Sequence, residues 1–175
     1  MRAMKDVLER LAGRLESWVD AFARNAAWLV LAVVFFLFIQ NPLREYVGQG
    51  QFVANDMGQL SHAAVFMIGV AYAWRWDRHV RVDLFYRGMG VKARALVNLL
   101  GTAFLLLPWL ALVAWSEGPT AWQSLKLMEH FPETGSPGFY MMNVVVLVFV
   151  ALVGLQAIAV MARSAAQLMQ PRSRA

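Results

Sequence analysis

Cysteine is absent from this 175-residue chain. That removes disulfide frameworks, thiolate metal ligands and thiol nucleophiles at once. Charge is scarce as well: 15% of residues are Asp, Glu, Lys or Arg, against 59% hydrophobic, a balance too apolar for an ordinary soluble domain. The composition suits a bilayer. No ionisable residue lies deep in a long apolar run; Asp56 and Glu117 stand at run boundaries. Charges inside a membrane mark ion and substrate pathways, so this pattern does not describe a self-sufficient ion-coupled transporter. The net charge of +5 does not indicate nucleic acid, because the basic residues lie almost entirely between the apolar runs.

What is present is four apolar runs, 25–46, 57–76, 93–115 and 139–161. Each approaches the ~20 residues that a helix needs to cross a hydrocarbon core. An all-α membrane protein with four transmembrane helices is predicted over 25–163, followed by a tail, 164–175. The first run meets Gln40, Asn41 and Pro42, which predict a kink or unwinding at its outer end, and Pro108 predicts a kink in the third. Lys and Arg are divided unequally between the connecting segments. Of the 16, only Arg44, at the outer end of run one, and Lys126, in the loop after run three, fall on the other side. The excess marks the cytoplasmic side, so both termini are expected in the cytoplasm of a multi-pass protein.

Before the first run, Met4, Val7, Leu8, Leu11, Leu15, Trp18, Val19 and Phe22 recur at helical spacing, opposite Lys5, Asp6, Glu9, Arg10, Glu16 and Asp20. An amphipathic helix over 1–24 is expected, lying on the inner membrane surface or packed on the protein's own cytoplasmic face. No short charged start with a small-residue cleavage site accompanies the first run, which reads as a retained span.

The candidate functional residues are few. His62, His79 and His130 fall at different membrane depths and so make poor paired haem ligands. Asn98, Asn143 and Gln156 are the strongest polar groups within the spans and suit hydrogen bonds between helices. Trp28, Trp74, Trp76, Trp115, Trp122 and Tyr140 sit near the expected interfaces, as depth anchors do. No catalytic constellation, metal site or cofactor is expected in this chain. The most distinctive segment is the inner loop Arg75-Trp76-Asp77-Arg78-His79-Val80-Arg81-Val82-Asp83-Leu84, whose charged and apolar residues alternate, implying an ordered loop.

The Gly- and Ala-containing second run, Ala73-Trp74-Arg75, His79-Val80-Arg81-Val82-Asp83, a basic start to the third run and Leu152-Val153-Gly154-Leu155-Gln156 together resemble the DctQ-type small permease subunit of TRAP transporters. The resemblance runs from about Gly58 to Arg163, and differs from the family pattern in the outer loop Glu129-His130-Phe131-Pro132-Glu133-Thr134-Gly135-Ser136-Pro137. It implies a subunit of the bacterial inner membrane, within a tripartite system. A periplasmic solute-binding protein captures a small solute, commonly an organic acid, and a large multi-span permease subunit moves it with sodium, the ion belonging to that partner. On this reading Arg75, His79, Arg81 and Asp83 stabilise the inner loop or its contact with the large subunit. Glu129 and Glu133 are then candidates to meet the binding protein. The rival is a self-contained membrane protein, either a homo-oligomeric channel lined by Asn98, Asn143 and Gln156 or a lipid-acting enzyme using the one cluster Asp77, His79 and Asp83.

Overall fold

The computed structural model describes residues 2–48, 50–76, 86 and 88–169. It has six α-helices among the described residues: α1 (Arg2–Ala26), α2 (Leu29–Pro42), α3 (Gln51–Arg75), α4 (Val91–Gly101), α5 (Leu107–Leu127) and α6 (Phe139–Leu168). A π-helical turn, Leu43–Val47, extends α2, and another, Thr102–Leu106, joins α4 to α5.

Helices form here because a chain segment in hydrocarbon must satisfy its own backbone polar groups. Three helical stretches are long and apolar enough to cross a membrane among the described residues: Ala3–Val47, Val91–Leu127 and Phe139–Leu168. The remaining helix, α3, is 25 residues long, but Asn55, Asp56, Gln59, Ser61 and His62 make its first half more polar.

The backbone stays helical at Pro42, where a kink or unwinding is expected. Helix α2 continues through Gln40, Asn41 and Pro42 and relaxes into the π turn Leu43–Val47. Pro108 stands immediately after the second π turn. A proline lacks the N–H that would bond the carbonyl four residues back, and its ring crowds that carbonyl; for Pro108 that carbonyl is Phe104, inside the π turn, whose wider winding makes room for both defects. Helices α5 and α6 also outlast the apolar runs, reaching Leu127 and Leu168.

Helix α6 is the axis of the bundle and packs against α1, α3, α4 and α5, whereas α2 leans chiefly on α3. The main core gathers Val19 of α1, Ala71 of α3, Leu110 of α5, and Leu152 and Val153 of α6. A second cluster joins Ala12 of α1 to Ala159 and Ala162 of α6. Small side chains at all three positions let those two helices approach closely.

Helix α1 therefore packs on the protein's own helices. Its buried stripe is Ala12, Glu16, Val19 and Ala26, which corrects the expectation that Glu16 belongs to the outward polar face. Met4, Val7, Leu11, Trp18 and Phe22, from the expected apolar face, remain exposed.

Candidate functional site

Two polar assemblies stand at opposite ends of the bundle. The first lies where α1 crosses the C-terminal ends of α3 and α6. Glu16, 3% exposed, accepts a hydrogen bond from Arg163 of α6 and lies 3.3 Å from the Arg75 guanidinium of α3. Arg75 Nε is 3.9 Å from Asp20 Oδ2. The Trp76 indole N–H donates to Asp20 Oδ1 at 3.2 Å, and the guanidinium carbon of Arg75 lies 5.1 Å from the Trp76 ring centroid. Two carboxylates thus face two guanidinium groups, and the charges balance. A buried carboxylate is strongly disfavoured unless paired. Glu16 can be buried only because α3 and α6 each bring an arginine to it.

Close by, Asn98 Nδ2 donates to the Tyr86 hydroxyl at 2.9 Å, and Arg94 Nε donates to the Met89 carbonyl at 2.8 Å. These bonds tie the start of α4 to the segment before it. Asn98 of α4 thus bonds Tyr86, a helical residue of the segment before α4. Gln156 is buried in α6, and Asn143 is half-buried. Of the inner-loop motif, Arg75 belongs to the ionic junction, and His79, Arg81 and Asp83 lie outside the described residues.

The second assembly is the α5–α6 loop. Helix α5 ends with Met128 in the left-handed region, φ 48°. There the Met128 N–H bonds the Leu125 carbonyl and the Glu129 N–H bonds the Ser124 carbonyl, at 3.3 and 3.1 Å, the pairing of a Schellman cap. Ser124 Oγ donates to Glu129 Oε2 at 2.5 Å, holding that carboxylate against its own helix.

Beyond the cap, the Phe131 N–H bonds the Ser136 carbonyl and the Gly135 N–H bonds the Phe131 carbonyl, each at 2.8 Å. Thr134 Oγ1 accepts from the Ser136 N–H at 3.2 Å and donates to Asp56 Oδ2 of α3 at 2.5 Å. Phe131 is buried, edge-on to Phe139 with ring centroids 5.6 Å apart. Gly138 then opens α6 at φ 116°, where a Cβ would meet Met57 Cε at 3.5 Å. The loop is a closed turn pinned to α3 by one buried carboxylate.

The two acidic candidates differ in consequence. Glu133 is exposed at the turn, whereas Glu129 is half-buried and engaged by Ser124. Among the expected anchors, Trp28, Trp76 and Trp115 are exposed, Tyr140 is half-buried, and Trp74 packs against the main core. Glu16 and Asp56 were not singled out as sites from the sequence. A signal for Glu16 was available, since it shares one helical stripe with the small residues Ala12, Val19 and Ala26.

A model of the family described as "Tripartite ATP-independent periplasmic transporters, DctQ component" matches residues 36–167. The chain belongs to the DctQ family. The match spans about three quarters of the chain and includes all of α3 to α5. No curated protein and no solved structure matches the chain. Membership makes this protein a small membrane subunit of a TRAP transporter, a transport component and not an enzyme, and a multi-pass protein of the inner membrane. Helix α1 precedes the DctQ match, so the ionic junction ties a segment outside it to Arg75 and Arg163 within it.

Proposed function

We propose that this DctQ subunit is the fixed, non-conducting support of a sodium-coupled importer for a small organic acid. The observation that carries the reading is the family match over 36–167. Four spans cross the membrane, α3 among them, and both termini are cytoplasmic, in keeping with the 14 basic residues on the side opposite Arg44 and Lys126. A large permease subunit carries solute and sodium, and this chain gives it a stationary surface. Trp28, Trp74, Trp76, Trp115 and Tyr140 set its depth. His79, Arg81 and Asp83 meet the large subunit or order the loop that does, while Arg75 holds α1 through Glu16.

The α5–α6 loop faces the periplasm and meets the solute-binding protein, with Glu133 as its exposed charge. Three observations support this role: the loop is pinned by Asp56, closed by its own backbone bonds, and presents Glu133 outward. A preformed platform binds without first paying an ordering cost.

The test is co-expression of the tagged chain with its large subunit, extraction in mild detergent and measurement of what is recovered with the tag. A large multi-span protein is expected in the eluate, and Asp83→Ala is expected to lower its yield while the tagged chain stays folded. Recovery of the tagged chain alone, or solute flux from this chain reconstituted without a partner, would overturn the reading.

A further inference from the structure

Between the end of α1, the start of α2 and the second half of α3 lies a crevice of about 620 Å³, a volume in the range of small-molecule sites. Its walls have one polar end. Asp20, Arg24 and the Trp76 indole line that end, and the walls then continue with Val30, Val65 and Gly69. From Trp76 to Val65 along α3 is about 16 Å at the helical rise, so the crevice runs well into the helical layer. Gly69 borders open space in it: a Cβ there would meet nothing within 4 Å.

The charges at the polar end are not equivalent. Asp20 is engaged by Trp76 and Arg75. Arg24 is exposed and has no ion pair among the described residues. Among the described residues, what remains for a ligand is one cation beside an amphipathic indole, at the head of an apolar slot.

We propose that this crevice holds one anionic phospholipid, its phosphate on Arg24 and one acyl chain lying along Gly69 between α2 and α3. An amphiphile with a single anionic head matches a slot that is polar at one end only. Basic sites between helices bind lipid phosphates on this principle, and a guanidinium binds phosphate oxygens through paired charge-assisted bonds. A partner's transmembrane helix would have to bring a carboxylate to Arg24 as well as an apolar face, whereas an anionic phospholipid carries both in one molecule.

The test uses the full chain in nanodiscs of phosphatidylcholine doped with phosphatidylglycerol, with lipids retained after extraction counted by native mass spectrometry. One phosphatidylglycerol per chain is expected to be retained in preference to phosphatidylcholine. Arg24→Gln, at an exposed position, is expected to lower that preference about tenfold, the loss of one charge-assisted contact. Gly69→Leu is expected to abolish retention of either lipid at this site by filling the slot.

Equal retention of phosphatidylglycerol by the wild type and Arg24→Gln would overturn the proposal. Displacement of the lipid by inorganic phosphate alone would overturn it too, because the site would then recognise a free anion. If Gly69→Leu left lipid retention unchanged but reduced recovery of the large subunit, the crevice would be a helix seat and the lipid assignment wrong.

Discussion

Replacing Glu16 with Gln removes one negative charge from the junction of α1, α3 and α6 while nearly keeping the side chain's volume. Two guanidinium groups then share one carboxylate, Asp20, which lies 3.9 Å from Arg75. Breaking a buried ion pair by removing one partner costs about 3–5 kcal/mol. Here the full penalty does not apply, because the Arg163 side chain is 50% exposed and can turn to water. Arg75 is 21% exposed and has fewer alternatives; its Nε makes no hydrogen bond among the described residues.

A loss of about 2–3 kcal/mol is therefore expected, roughly 30- to 150-fold in the equilibrium that docks α1. The absence of native cysteine makes the measurement direct. With Cys introduced at Ala12 and Ala159, which belong to one buried cluster, disulfide formation in membranes reports docking. Glu16→Gln should slow it, by the full factor where the undocked state comes to predominate. In a double-mutant cycle with Arg75→Gln, the second substitution should cost much less in the Glu16→Gln background than in the wild type. If the two costs add within ~0.5 kcal/mol, the pair is not coupled and the junction does not hold α1.

Asp56→Ala removes the acceptor for Thr134 at a buried site and should destabilise the α5–α6 turn by about 1–3 kcal/mol. Hydrogen exchange at the Phe131 and Gly135 amides should accelerate accordingly, with amides in the middle of α6 unchanged as the control. Gly138→Ala puts a Cβ at φ 116° and 3.5 Å from Met57 Cε. The strained backbone should cost about 1–3 kcal/mol, visible as a lower unfolding midpoint in detergent; an unchanged midpoint would show that the start of α6 does not need this conformation.

Hydropathy made the membrane class legible because it records the solvent. The apolar runs beginning near Asn25, Ala93 and Phe139 lie within helical stretches long and apolar enough to span. The ends of those helices were less legible: α5 continues to Leu127 and α6 to Leu168. Apolar composition stops where lipid stops, whereas a helix continues as long as its own backbone bonds do. Periodicity found the helix in 1–24 but misjudged its inner face. It ranked Glu16 by charge, and the arginines that permit its burial are 59 and 147 residues away. Asp56 was hidden for the same reason, since Thr134 lies 78 residues further along. The DctQ resemblance rested on short motifs, and the part of its inner-loop motif from His79 to Asp83 lies outside the described residues.

The place of α6 in the packing bears on how the molecule is made. Helices α1, α3, α4 and α5 all rest on it, yet it leaves the ribosome after every one of them. The α2–α3 pair can associate early. Glu16, however, is synthesised more than a hundred residues before Arg163, so half of its counter-charge arrives only when α6 is inserted. A chain stalled before α6 is therefore expected to hold Glu16 with Arg75 alone, its pairing incomplete.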